Sequence, residues 1–188
     1  MSGGPLYPEL RPEQMTEAQQ RVYQSIAAGP RGGVRGPFNA LLRSPELADR
    51  VQRVGEYLRF GTSLPARLNE LAILINARFW GSQYEWYAHR PLAEKGGLAP
   101  AVADDLARNR RPDGLQPDEA VVYEFCTALH TAHAVDDALF ERAVAALGER
   151  GVMDLIGVSG YYQLVSMLLN VDRYPLPERV QPELKPLR

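Results

Sequence analysis

The stretch LPARLNELAILINARFWGSQYEWYAHRPLAEKGGL, residues 64–98, decides how this chain folds. It predicts two helices joined by a break at Gly81, the first running from about Pro65 to Trp80. The run Leu71-Ala72-Ile73-Leu74-Ile75 is apolar on every side, which marks a helix buried all round rather than one lying on a surface. Glu70 opens that run, so its carboxylate falls where a charge is costly unless it is paired or protonated. The second helix starts at Ser82, with Glu85 at the third helical position, the spacing of an S-x-x-E capping box. Glu85 and His89 are four residues apart and share one helix face. Glu85 therefore reads either as a cap or as the partner of His89. A carboxylate beside an imidazole can fix its tautomer for acid–base work near neutral pH.

Working outward, residues 1–12 form an arm bearing Gly and Pro, irregular until it docks. Thr16-Glu17-Ala18-Gln19 fits a capping box and opens a helix to about Ala28. Residues 29–36, GPRGGVRG, are a glycine-rich loop without the spacing of a phosphate cradle and with no strand before it. Arg31 or Arg35 could there border a site for an acidic ligand. Phe38 to Leu42 reads as a short helix, and Ser44 caps the next with Pro45 at its first position. Leu47, Val51, Val54 and Leu58 keep helical spacing to about Phe60. Beyond the central pair, Gly96-Gly97 ends the second helix and Pro100 starts another that stops near Arg108. Pro117 opens a helix carrying Cys126, His130 and His133 on one face, a trio that could be zinc ligands but lacks a fourth partner. Asp136 caps a helix over 138–147, a break follows at 148–151, and a last long helix runs over 152–171. Its Met153, Leu155, Ile156, Val158, Leu164, Val165, Leu168 and Leu169 look buried on several sides. Tyr161 and Tyr162 read as packing residues that could also line a pocket. Residues 175–188 are a Pro-rich extended arm fit to lie over a neighbour.

No segment alternates at period two, so the fold class is all-α, with about eight helices of ordinary length in one domain over 1–188. At 188 residues the chain can bury a core without disulfides or metal. A net charge of −2 with interspersed signs gives no electrostatic case for nucleic acid or an anionic membrane. The single cysteine rules out an internal disulfide and suits a reducing cytosol. No apolar stretch reaches membrane-spanning length, so a soluble cytoplasmic protein is expected. The two helices lacking a polar face leave apolar surface for a partner.

The pattern Leu64, Arg67, Glu70 and Leu71, followed by Tyr84-Glu85-Trp86, His89, Ala93 and Gly97, resembles the carboxymuconolactone decarboxylase family. That family belongs to the alkyl hydroperoxidase D-like superfamily. Ser44-Pro45-Glu46-Leu47-Ala48 and the segment from Tyr161-Tyr162 to Asn170 look like it too, so the likeness covers most of the chain. The redox branch of the superfamily carries a C-x-x-C pair. Aligned on Glu70 and His89, this chain has Ser82 and Glu85 at the two cysteine positions and Tyr84 at the histidine between them. A serine cannot replace a peroxide-reducing thiolate, and no second sulfur is present to resolve a sulfenic acid.

The resemblance implies cofactor-free acid–base chemistry, such as decarboxylation, on a small organic acid or lactone, with no metal. His89 would be the general acid or base, Glu85 would orient it, and Glu70 would be a second buried proton carrier. Arg67 would pair with Glu70 or with a substrate carboxylate. Trp80, Tyr84 and Trp86, with Ser82, would form the substrate pocket. The resemblance also implies a homo-oligomer, a trimer or hexamer, with a dimer as the alternative. Two other classes stay open: a peroxidase-like enzyme using Cys126, and an oligomeric binding protein without turnover.

Overall fold

Glycines, prolines and a few hydroxyl or acidic caps divide the chain into helices, and one of those helices is the hub. The structure, a computed structural model, describes residues 4–186 and is all-α, with no strand among the described residues. The outermost residues of the two arms, 1–3 and 187–188, lie outside the described residues. The eight helices are α1 Glu17–Ala28, α2 Phe38–Leu41, α3 Pro45–Phe60, α4 Ala66–Trp80, α5 Gln83–Lys95, α6 Pro100–Ala107, α7 Pro117–Thr131 and α8 Asp137–Asp172. One turn of 3-10 helix, Pro12–Gln14, precedes them.

Helix α4 is the apolar run of the central stretch, and every residue over 68–78 is buried. Helices α5, α6, α7 and α8 pack around it. It stops at Gly81, whose left-handed backbone (φ 61°, ψ 28°) a side chain would disfavour. The chain turns there and α5 returns against α4. Some of the polar groups that α4 carries inward find partners: the Asn69 amide N–H donates to the Leu58 carbonyl at 3.1 Å, and Arg78 donates to the Lys185 carbonyl at 2.7 Å, while Asn69 Oδ1, Asn76 Oδ1 and Arg78 Nε have none.

Two caps form as expected. The Thr16 hydroxyl accepts from the Gln19 N–H, and the Asp136 carboxylate accepts from the Leu139 N–H. The Ser82–Glu85 capping box does not form: the Ser82 side chain makes no cap bond, and the Glu85 carboxyl turns inward to Ser166 of α8 instead of back to the cap. Ser44 likewise precedes α3 without capping it through its side chain.

The expected break at 148–151 contracts to a kink at Gly148 (φ 71°, ψ 165°), so α8 is one bent helix of 36 residues. It is long and apolar enough by composition to cross a membrane, which corrects the expectation that no stretch reaches that length. Leu155, Val158, Val165 and Leu169 are buried inside the fold, while Met153 and Ile156, expected inside, are exposed. On α3, Val51 and Leu58 point inward and Leu47 and Val54 outward.

The arms fold back on their own chain. Leu6 and Tyr7 donate backbone N–H groups to Asp172. At the other end Leu184 is buried and exchanges bonds with the Gln83 amide, while the Glu183 carboxylate accepts from the Trp86 indole and from Arg90.

Asp154 joins the start of the central stretch to α8. Its carboxylate accepts from the Ser63 N–H and hydroxyl, both at 2.7 Å, and from the Tyr57 hydroxyl at 2.8 Å. Burial alone would push this carboxyl up, but those donors outweigh it and hold it below its ordinary pKa. The stabilisation is thus present above the unfolded-state value and lost as pH falls through the folded one. Asp154→Ala is expected to cost about 2 kcal/mol at pH 7, because three donors lose a charged acceptor. In urea titrations the gap to wild type should close below about pH 4, where the unfolded carboxyl titrates. A constant gap would exclude the ionised carboxylate as its source.

Candidate active site

Packing α4, α5 and α8 together brings Glu70 against His89, which lines a pocket together with Glu85 and Tyr162. Glu70 faces α5 from the buried hub. His89, on α5, meets it, with Nδ1 at 2.7 Å from Glu70 Oε2. Both side chains are more than nine-tenths buried. This contact occupies Nδ1 and leaves Nε2 as the ring nitrogen available to a ligand. Tyr162 of α8 sets its ring edge-on to the imidazole, with centroids 5.0 Å apart and an interplanar angle of 85°.

Glu85 lies one turn before His89, but its partner is Ser166 of α8, whose hydroxyl donates to Oε2 at 2.7 Å. Oε1 has no protein partner. Burial pushes the Glu85 carboxyl well above its ordinary pKa, and the Ser166 bond opposes this only in part. Glu85 is thus biased toward its protonated form, beside the Glu70–His89 pair. Tyr162 is also pushed up by burial and stays a neutral phenol.

The pocket has a volume of about 220 Å³. Glu85, His89 and Tyr162 line its buried part, and Phe38, Tyr84 and Val165 are among its walls. The glycine-rich loop contributes Arg31 and Arg35, and α3 contributes Arg59. Gly55 of α3 lies under Tyr161 and Arg31. A Cβ there would overlap the Tyr161 hydroxyl, so the close approach of α8 to α3 requires glycine.

No family model matches the chain, and no curated protein matches it. Solved structures do. A protein from Ralstonia eutropha JMP134, described as an alkylhydroperoxidase AhpD core and an uncharacterized peroxidase-related protein, superposes with a TM-score of 0.73 at 17% identity, covering 95% of each chain. An uncharacterized peroxidase-related protein from Silicibacter sp. TM1040 superposes with a TM-score of 0.70 at 15% identity, covering 90% of this chain and 89% of that one. The chain has the AhpD-core fold.

Within that fold the site differs from the expected one in several places. The partner of His89 Nδ1 is Glu70, not Glu85. The geometry is tertiary, since the two residues stand on different helices. Arg67 reaches neither Glu70 nor the pocket. It bonds Asp118 at 2.7 Å and Glu119 at 2.5 Å, clamping α4 to α7. Of the expected substrate-binding side chains only Tyr84 lines the pocket. Tyr84, Glu85, Ala88 and His89 form one stripe along α5, and Trp86 falls off it under the C-terminal arm. Trp80 ends α4 outside the pocket, edge-on to Phe79, and Ser82 is buried at the α4–α5 turn. Ser166 and Arg59 carried no signal in sequence. Arg31 did, through its place in the glycine-rich loop.

The Cys126–His130–His133 trio does not assemble. Helix α7 ends at Thr131, and His133 lies beyond it with a left-handed backbone (φ 59°). His130 stacks on Phe79 at 4.0 Å, and burial lowers its pKa to about 4, with a smaller effect from His133. Cys126 is buried 3.5 Å from the Ser159 hydroxyl, does not line the pocket, and has its thiol pushed up to about 12 by burial. Folded protein is thus expected to resist a thiol-specific disulfide reagent at pH 8 and to react in full once unfolded in guanidinium. Fast labelling of the native protein would show an accessible thiolate.

Proposed function

We propose that this chain is an acid–base enzyme of the carboxymuconolactone decarboxylase type, acting on a small organic acid or lactone. The observation that carries the reading is a pocket lined by His89, which Glu70 holds through Nδ1 from behind, and by Glu85, whose carboxyl burial pushes well above its ordinary pKa. A carboxyl biased toward its acid form beside an oriented imidazole lets one site supply both an acid and a base.

In a decarboxylation, the bond to the departing carboxylate breaks and its electron pair passes into the lactone as an enolate. A proton is then delivered to carbon. His89 exchanges that proton through Nε2, with Glu70 holding the ring through Nδ1. The neutral Glu85 carboxyl offers an O–H to the enolate oxygen, where charge develops. The phenols of Tyr161 and Tyr162 and the ring of Phe38 exclude water from the buried part of the pocket.

The description of the fold neighbours as peroxidase-related favours a redox reading, but the pocket lining holds no sulfur and Cys126 is buried elsewhere. A scaffold that binds without turnover is the remaining alternative. Exposed Val54 and Phe60 on α3 and Met153 on α8 support assembly as a homo-oligomer, for which light scattering should give a multiple of the chain mass.

An ultraviolet assay with 4-carboxymuconolactone tests the activity. Turnover should fall by at least about 100-fold in both His89→Ala and Glu70→Gln with folding intact. An inert wild type would discard that substrate, and unchanged turnover in His89→Ala would discard the mechanism.

Glu85 gives a separate test by stability. The unfolded chain releases this proton near pH 4.3 while the folded one retains it, so wild type loses stability as pH rises from there to the folded value. Glu85→Gln carries no such loss. Its melting temperature relative to wild type should therefore climb between pH 5 and 8. A flat difference would mean that Glu85 is not held neutral.

A further inference from the structure

Arg31 is the unusual cation of this fold. Half of the arginines among the described residues pair with acids, Arg67 and Arg90 in networks. Arg31 has no carboxylate within ion-pair distance among the described residues, and its Nε and Nη2 are buried with only the Tyr161 hydroxyl close enough to interact. Those two atoms form one edge of the guanidinium, the fork that receives a carboxylate side-on through two parallel bonds. The face of the same group rests on Phe38, 4.9 Å from its ring centroid, which fixes the plane.

One neutral hydroxyl cannot satisfy two charged donors, and a buried donor left without a full partner loses its hydration at a cost. Tyr161 stands beside this edge. An added Cβ at Gly55 would overlap both the Tyr161 hydroxyl and Arg31 Nη2, so these two groups pack side by side in the space the missing side chain frees. Arg31 and Tyr161 line the same pocket as His89. Arg59, also in the lining and without an ion pair, adds positive charge.

We propose that the Nε–Nη2 edge of Arg31 and the hydroxyl of Tyr161 form a carboxylate-binding subsite that sets the ligand's orientation toward His89. A carboxylate on an organic body fits better than a free phosphate, because the remaining walls include Phe38, Tyr162, Val165 and Leu169, which offer carbon rather than donors. The inference rests on this pocket being the substrate site, but not on proton transfer by His89.

Calorimetric titration with benzoate, with its uncharged analogue benzamide, and with inorganic phosphate tests it. Wild type should bind benzoate at least about tenfold more tightly than benzamide or phosphate. Arg31→Gln should lose at least about tenfold in benzoate affinity, Arg31→Lys should fall between, and Tyr161→Phe should lose a few-fold, all with wild-type circular dichroism. Arg108→Gln, at an exposed arginine outside the pocket, should keep benzoate affinity within about threefold, because it leaves the Arg31 edge intact. Should Arg31→Gln bind benzoate as wild type does, the subsite does not exist. Absence of benzoate binding to wild type at 10-millimolar order, or tighter phosphate than benzoate, would equally overturn it. Benzoate binding that depends on Arg31, in a protein that turns over no lactone, would leave the subsite standing and remove only the decarboxylase reading.

Discussion

The contact between the Glu70 carboxylate and His89 Nδ1 is the constraint on which the site depends. It crosses from the buried hub helix to its antiparallel neighbour, in a space where neither group could stand alone without a large desolvation cost. Glycine at 81 makes the turn that lets the two helices face each other, and the apolar surface of α4 supplies the packing that holds them together. A polar contact inside an apolar hub also gives the helix pair one preferred register, because sliding either helix would leave a buried acid unpaired.

Around that contact the fold sorts like chemistry into unlike environments. Glu70 and Glu85 are both buried carboxyl groups near one imidazole. Glu70 has a nitrogen partner. Glu85 has a single hydroxyl partner, so burial pushes its carboxyl well above its ordinary pKa. The difference arises from α8, which brings Ser166 and Tyr162 to the pocket but no cation to Glu85. The cations of the pocket come instead from the loop over 29–36, as Arg31 and Arg35, and from α3, as Arg59.

The remaining polar contacts hold this frame in place. Arg67 clamps α4 to α7, Asp154 ties the α3–α4 turn to α8, and Arg90 binds Glu94, Asp104 and Glu183 so that the C-terminal arm lies over Trp86. None of these residues lines the pocket. They account for why charged and aromatic side chains in the central stretch resemble site residues in sequence and serve packing in the fold.

The sequence by itself determined the helices and the hub. The unbroken apolar run over 71–75, the glycine at 81 and the caps at Thr16 and Asp136 are local signals, and local signals survive without knowledge of partners. Glu70, Glu85 and His89 were also visible, because acids and a histidine in an apolar stretch stand out against its composition. Which of them touch was not. The four-residue spacing of Glu85 and His89 suggested a pair, yet side chains on one helix face still choose between neighbours on that face and neighbours across the interface. Here Glu70 and Ser166 offered better geometry. The same limit misassigned Arg67, Trp80, Ser82 and Trp86, and hid Arg59 and Ser166, which enter the site from helices far away in the chain. Helical periodicity says which side of a helix faces inward. Only the packing of α4, α5 and α8 decides what that side meets.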